Sequence, residues 1–137
     1  MQVSTLIGQK KARFFSPMDY YRYSQAGLTK HSVITLAKNV DVSVSYLTSL
    51  ADINIRTLQR KSDEEKLSSD ISEKLLQVAQ VFAKGTEIFK SLNSFKEWLE
   101  TPNISLDGAV PSKIISSRYG AEMVLDCLGR IQYGIYS

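Results

Sequence analysis

The sequence of 137 residues holds one cysteine and one histidine. Cys127 therefore has no disulfide partner within the chain, and Cys127 together with His31 is too small a ligand set for a zinc site. Long apolar runs are missing as well, since none approaches the roughly 18 residues that a membrane-spanning helix needs. The start of the chain also lacks the apolar segment and cleavage site of a secretory signal. We therefore expect a cytoplasmic protein with no membrane contact, no metal and no disulfide.

The motifs that accompany common enzyme chemistries are also absent from the sequence. There is no glycine-rich loop of the GxGxxG or GxxxxGK(S/T) type and no HExxH zinc motif. His31 has neither a cysteine nor converging carboxylates nearby for a catalytic triad, and Cys127 fits a small side chain on the buried side of a helix. The acidic residues 63–65 precede Lys66 and further polar residues, as in a solvated linker. We predict that the protein is not an enzyme and has no catalytic residue, metal ligand or cofactor.

Charge is distributed unevenly along the chain. The net charge is +3, but residues 1–61 carry nine Lys and Arg against three acids, whereas residues 62–137 carry eight against eleven. The first part is therefore +6 and the second −3. This asymmetry is typical of an anion-binding module joined to a module with another role, although a solvated charge gradient without function would look the same.

The composition and the apolar spacing indicate a helical protein. With 43% hydrophobic residues, a chain of this length can bury roughly two thirds of its unfolded surface, which suffices for one domain or two small ones. No segment alternates convincingly with period two, so we predict an all-α fold. The predicted helices begin after the N-caps Ser16, Thr29, Ser43 and Asn54, at Ser69, after Ser94, at Pro111 and at Gly120.

A long helix is predicted from Ser69 to Leu92, where apolar residues repeat at alternating steps of four and three. Gly85 occupies one position of this apolar stripe, although glycine costs about 1 kcal/mol relative to alanine inside a helix. Its place on the buried face predicts that another helix crosses closely there. Ser94 and Glu97 then match a capping box for the following helix.

The segment from residue 44 to residue 61 has the pattern of a helix-turn-helix. A short amphipathic helix is followed by the three-residue turn 52–54 and by a second helix, IRTLQRK, in which Leu58 alone points inward. Asp52 stands where such turns often carry glycine, but aspartate tolerates left-handed backbone geometry better than most residues.

The polar face of the second helix is suited to reading DNA. Arg56 and Arg60 can each donate two hydrogen bonds to guanine, Gln59 can pair with adenine, and the remaining polar side chains can contact phosphates or bases. A plain helical hairpin with a solvated outer face is the alternative, and the positive charge of this half favours operator DNA as a partner. The predicted DNA-binding residues are Asn54, Arg56, Thr57, Gln59, Arg60 and Lys61.

The C-terminal third, FKEWLETPNISLDGAVPSKII followed by SRYGAEMVLDCLGRIQYGIYS, resembles the toxin-binding domain of the Xre/MbcA/ParS antitoxins. The shared pattern combines aromatic residues, a Trp-Leu pair, Pro-Asn, a glycine and a proline at fixed spacing, and a Leu-Gly-Arg-Ile end. The Arg-Thr-Leu-x-Arg run at residues 56–60 is similar to the Xre-type helix-turn-helix of the same family. The matching C-terminal residues are Phe95, Trp98, Leu99, Pro102, Asn103, Leu106, Gly108, Pro111, Gly120, Ala121, Leu128, Gly129, Arg130, Ile131, Tyr133 and Gly134.

This resemblance implies an antitoxin of the RES-Xre type II systems. In that family the C-terminal segment occupies or blocks the active-site cleft of a RES-domain toxin, an enzyme that consumes NAD. We assign Trp98 and Leu99 mainly to the domain core. In the alternative arrangement the apolar tail folds back on its own core and Arg130 braces it. The toxin-binding residues that the resemblance implies are Arg130, Tyr133, Gly134, Ile135, Tyr136 and Ser137.

We expect three parts along the chain. Residues 1–15 form an N-terminal extension that need not be ordered, residues 16–66 form an Xre-like helix-turn-helix domain, and residues 67–137 form the toxin-binding domain. A homodimer is expected because one helix-turn-helix reads only a few base pairs, and Tyr20, Tyr21 and Tyr23 are the candidate contacts. The alternative function is a stand-alone transcriptional regulator whose C-terminal domain dimerises or senses a ligand.

Overall fold

The computed structural model describes residues 2–10 and 14–134. These residues form helices joined by short turns, and within these ranges the backbone pairing outside the helices is limited to isolated bridges. The predicted all-α fold is confirmed. No helix in the described part is long and apolar enough to cross a membrane. The helices are α1 (Val3–Leu6), α2 (Pro17–Ala26), α3 (Lys30–Asn39), α4 (Val44–Leu50), α5 (Ile55–Gln59), α6 (Ser69–Ile88), α7 (Leu92–Leu99), a 3-10 helix (Ile104–Leu106), α8 (Pro111–Ile114) and α9 (Arg118–Gln132).

The starts of α2, α3, α4 and α5 are set by local capping, as predicted. The Ser16 side chain accepts a hydrogen bond from Asp19 N at 3.2 Å, and the Asp19 carboxylate accepts one from Ser16 N at 2.9 Å. Thr29, Ser43 and Asn54 each accept a hydrogen bond from a backbone N–H in the first turn of the helix that follows. These contacts join residues two or three positions apart, so the sequence alone is enough to predict them.

The boundaries around the second half of the chain differ from the prediction. The long helix α6 ends at Ile88, because Phe89 is extended (φ −89°, ψ 145°) and turns the chain back over α6. The next helix is capped by Ser91, whose Oγ accepts from Ser94 N at 3.1 Å, so the predicted Ser94 cap is wrong. The last helix also starts earlier than Gly120, after Ser117.

The helix α6 is the centre of the fold. Its side chains Leu75, Val78 and Phe82 have no exposed surface, and α6 contacts α2 and α9 most extensively and also α1, α4 and α7. Phe82 packs edge to face against Phe95 of α7, with ring centroids 5.3 Å apart. The two predicted domains therefore share one hydrophobic core, and their division near residue 67 stays a prediction.

The N-terminal segment belongs to this core rather than forming a separate extension. Leu6 is fully buried, Val3, Ile7 and Phe15 are nearly so, and α1 contacts both α6 and α3. Asn39 of α3 donates hydrogen bonds from its amide to two carbonyls at the end of α1, at 3.1 and 3.3 Å. A four-residue helix is too short for a periodicity search, which explains the different expectation. Residues 1 and 11–13 lie outside the described part.

Polar contacts also tie α4 to the helices of the C-terminal half. The Tyr46 hydroxyl donates to the Glu100 carboxylate, which also accepts a hydrogen bond from Ser112 Oγ at 2.9 Å. Burial, together with the adjacent Glu100 carboxylate, raises the pKa of Tyr46. Lys96 Nζ lies 2.8 Å from the Asp41 carbonyl oxygen and 3.7 Å from its carboxylate. These contacts hold α4 in one orientation against α7 and α8.

The close helix crossing predicted at Gly85 is confirmed and allows a stability test. A Cβ atom at Gly85 would lie 2.3 Å from Cε1 of the buried Phe95 ring. We expect Gly85→Ala to lower the free energy of unfolding by about 1 to 3 kcal/mol, because the added methyl would clash with a buried ring that already packs against Phe82, Phe89 and Trp98. Urea denaturation measures this change.

The matched control is Gly129→Ala in α9, where an added Cβ meets nothing within 4 Å. That variant should be unchanged or more stable by up to about 1 kcal/mol, from helix propensity alone. Equal urea midpoints for the two variants would contradict the crossing at Gly85.

Candidate nucleic-acid interface and partner surface

The helices α4 and α5 form the predicted helix-turn-helix. Asp52 N donates to the Ser49 carbonyl at 3.1 Å, and Ile53 N donates to the Thr48 carbonyl at 2.9 Å. Asp52 has a φ of 55°, which is the left-handed conformation that the turn requires. The aspartate therefore takes the place of the usual glycine without changing the turn.

The helix α5 presents its polar face to solvent. Asn54 Oδ1 accepts a hydrogen bond from Arg56 N at 3.0 Å and so starts the helix. Leu58 is buried and anchors the opposite side of the helix. Arg56, Gln59 and Arg60 are exposed and lie within one sector of the helix because of their spacing. Of the remaining predicted residues, Asn54 is exposed and Thr57 and Lys61 are half-buried.

The helix α3 brings a cation to the end of α5 that was not among the predicted DNA-binding residues. Lys30 of α3 donates from Nζ to the Lys61 carbonyl at 3.0 Å, which brings Lys30 next to the end of α5. The backbone carbonyls of Asp63 and Glu65 accept hydrogen bonds from the first N–H groups of α3. The acidic side chains at residues 63–65 are exposed, as expected for a solvated segment, but their backbone caps a helix.

The tyrosines proposed as dimer contacts have different environments. Tyr20 and Tyr23 pack on the buried ring of Phe15, with centroid distances of 5.4 and 4.9 Å. Burial raises the pKa of Tyr20 to about 12. Tyr21 is exposed and lies near two other exposed apolar residues in the sequence, Phe14 and Met18. Two of the three tyrosines are thus used within the chain, because Phe15 joins the core.

The predicted partner-binding residues lie at the end of α9. Arg130 and Tyr133 are exposed, and Gly134 has a φ of 68°, a left-handed conformation that ends the helix. The predictions for Ile135, Tyr136 and Ser137 fall outside the described residues.

Two exposed residues earlier on the same helix, Tyr119 and Met123, were missed by the sequence analysis. Their i, i+4 spacing, on the side of the helix away from Val124 and Leu128, was the available signal.

The Trp-Leu pair of the family pattern, Trp98 and Leu99, packs in the hydrophobic core. Leu99 is fully buried, and Trp98 is half-buried and stacks on Phe95 at a centroid distance of 6.1 Å. This matches the assignment of both residues to packing.

A cleft lies where α4 meets the C-terminal helices. Its volume is about 500 Å³. The Tyr46 hydroxyl and the Glu100 carboxylate in its wall already bond to each other. Within the described ranges, no three His, Cys, Asp or Glu side chains gather in a way that could hold a metal ion. The polar residues of the cleft are Tyr46, Ser49, Asp52, Glu100, Ser112, Lys113 and Ser116.

Two domain families match adjoining parts of the chain. The antitoxin Xre-like helix-turn-helix domain matches residues 21–80, and the antitoxin Xre/MbcA/ParS C-terminal toxin-binding domain matches residues 84–134. A curated relative, the antitoxin Xre of Photorhabdus laumondii subsp. laumondii, is 27% identical over 90 residues. That alignment covers 64% of this chain, and the chain spans 61% of the relative's length.

The match to the helix-turn-helix domain contains α4 and α5. The match to the toxin-binding domain contains the Trp98-Leu99 pair and the exposed end of α9. The resemblance noted in the sequence is thereby confirmed over both halves. The chain belongs to the Xre/MbcA/ParS family of antitoxins.

Proposed function

We propose that this protein is the antitoxin of a type II toxin–antitoxin system. It neutralises a RES-domain toxin that consumes NAD and represses its own operon in the cytoplasm, acting by binding rather than by catalysis. One observation carries the proposal. A single folded chain combines an exposed Arg56, Gln59 and Arg60 face on a helix-turn-helix with a C-terminal region that matches a toxin-binding domain.

The proposal as a whole is tested by co-expression with the protein encoded by the neighbouring gene, which we expect to be a RES-domain toxin. The two proteins should purify as one complex, and cellular NAD should stay at its normal level. A chain that purifies alone while NAD falls would favour the stand-alone regulator instead.

The DNA-binding role rests on the exposed face of α5. The cap at Asn54 and the buried Leu58 fix the helix, so Arg56 and Arg60 project from a rigid element. A guanidinium can donate two hydrogen bonds to one guanine, which a lysine ammonium cannot do with the same geometry. The cations Lys30 and Lys61 lie close to the end of this helix and are suited to the phosphate backbone.

We expect Arg56→Ala and Arg60→Ala each to weaken operator binding by about 1 to 3 kcal/mol and to relax sequence preference. Arg60→Lys should keep binding to unrelated DNA but lose most of the operator preference, because it retains charge without the planar fork. Mobility-shift titrations on operator and scrambled DNA measure both effects.

The control for this charge change is Lys90→Ala, which removes an exposed cation from the C-terminal half. It should leave the operator preference unchanged, and none of these variants should affect toxin binding. Unchanged operator affinity for both arginine variants would show that α5 is not the recognition helix.

The proposed homodimer places two recognition helices on neighbouring half-sites. Half-sites one helical turn apart, about 34 Å, suit a two-fold dimer. With Tyr20 and Tyr23 packed on Phe15, the exposed residues Phe14, Met18 and Tyr21 are the candidate contact surface of this half.

The wild-type chain should have twice the 15.4 kDa monomer mass by light scattering at micromolar concentration. Tyr21→Glu should reduce this mass to that of the monomer and weaken operator binding, because a charge would be buried in the contact. Ile104→Glu, at another exposed apolar residue, is the control and should remain dimeric. A wild-type protein that is monomeric with and without toxin would contradict the dimer.

We infer that residues 133–137 neutralise the toxin by entering its active-site cleft, and we call this segment the plug. A cleft that binds a dinucleotide presents cationic or donor groups to phosphates and an apolar slot to a ring. The side chains of Tyr133 and Tyr136 combine a flat ring with a hydroxyl that needs a hydrogen-bond partner when buried, so they suit both parts of such a cleft. Arg130, one turn before Gly134, can pair with a toxin carboxylate or brace the tail.

Deleting residues 133–137 should give a folded chain that still binds DNA and binds the toxin weakly but no longer inhibits it. The deletion removes no buried side chain of the described part. NAD hydrolysis assays with purified toxin, together with circular dichroism, test this expectation. Full inhibition by the shortened chain would rule out the plug and indicate occlusion by the rest of the domain.

A further inference from the structure

The solvent face of α9 carries a row of large side chains. Tyr119 is 79% exposed, Met123 is 50% exposed and Tyr133 is 76% exposed. At 100° per residue these three side chains and Arg130 lie within a sector of about 80°. Tyr119 and Met123 lie about one turn apart, whereas the charged residues Asp126 and Arg130 lie between Met123 and Tyr133 on the same side of the helix. Because Tyr133 also belongs to the proposed plug, we call only the pair Tyr119 and Met123 the α9 stripe.

The fold itself does not use the α9 stripe. The core side of the same helix carries Val124 and Leu128, which are fully buried and belong to the hydrophobic core that α6 and α9 share. Large apolar side chains gathered on one exposed face are typical of a contact surface for another protein.

We propose that the α9 stripe is a docking surface for the toxin, separate from the plug at the end of the chain. This inference rests on the proposed antitoxin function. The stripe lies within the region that matches the toxin-binding domain. Met123 lies ten residues before Tyr133, about 15 Å along the helix from the segment that the plug mechanism inserts into the toxin. A toxin that holds this segment is therefore next to α9.

The charges beside the stripe define the chemistry of the toxin surface that fits it. Glu122 and Asp126 are exposed on α9 within one turn of Met123. Of the two cations on this helix, Arg118 lies 3.9 Å from the Glu73 carboxylate and Arg130 lies two turns beyond Met123, near the plug. The carboxylates next to the stripe therefore disfavour DNA as the occupant and complement a basic surface. An enzyme that binds an anionic dinucleotide has cationic groups at its cleft. The fitting partner surface is thus an apolar groove with a basic rim beside that cleft.

Docking along α9 and plugging by the tail make separable contributions. The stripe supplies affinity outside the active site, and the tail supplies inhibition inside it. This division gives a physical reason to expect that a chain without residues 133–137 binds the toxin weakly, since Tyr119 and Met123 remain. Removing the α9 stripe and residues 133–137 together should then abolish toxin binding.

The experiment compares four chains against the purified RES-domain toxin by calorimetry and by NAD hydrolysis. These are the wild type, Tyr119→Ala with Met123→Ala, the deletion of residues 133–137, and the combination of both changes. The double substitution should weaken toxin binding about tenfold to hundredfold while keeping full inhibition at saturating concentration. The combined variant should show no measurable binding.

Ile104→Ala is the matched control, because Ile104 is 89% exposed outside α9; it should bind like the wild type. Operator affinity and the thermal unfolding midpoint should not change in the stripe variant, since neither substituted side chain is buried. Wild-type affinity in the stripe variant, alongside a deletion that has lost inhibition, would overturn the docking surface and leave the antitoxin function standing.

Two other results also overturn the docking surface. A stripe variant that has half the wild-type mass without toxin would show that α9 faces a second copy of the chain. A wild-type chain that does not bind the toxin at all would overturn the antitoxin function together with the docking surface.

Discussion

The packing of α7 over α6 at Gly85 is the contact on which the rest of this fold depends. The missing side chain lets the Phe95 ring lie against the α6 backbone and meet Phe82 edge to face. Trp98 then stacks on Phe95 from the outside. Because α6 also contacts α1, α2, α4 and α9, this crossing positions the C-terminal helices relative to the helix-turn-helix. A larger side chain at residue 85 would disturb both halves.

The two halves are therefore one body with two separate surfaces. Besides the shared core, Leu28 N donates to the buried Ser72 Oγ at 2.9 Å, and Tyr46 donates to Glu100 across the junction between α4 and the C-terminal helices. The exposed arginines of α5 and the stripe of α9 are carried on the same rigid frame. Toxin and DNA can then bind one chain without unfolding either half, which the proposed antitoxin function requires.

The two surfaces also differ in the sign of the charge around them. The half that carries the helix-turn-helix is positive and the C-terminal half is negative. Long-range electrostatics therefore draws DNA toward α5 and away from α9, where Glu122 and Asp126 flank the apolar side chains. This asymmetry was visible in the sequence, but its spatial meaning depends on the folded arrangement of the two halves.

Interactions between residues a few positions apart were determined by the sequence itself. The caps at Ser16 and Asn54, the turn at Asp52 and the exposed face of α5 follow from such short-range contacts. Only the tertiary structure decided which apolar faces meet. It placed α1 in the core, ended α6 at Ile88 and left Tyr119 and Met123 without cover. These outcomes depend on contacts between residues distant in sequence, and an amphipathic pattern shows that a face is apolar without showing what covers it.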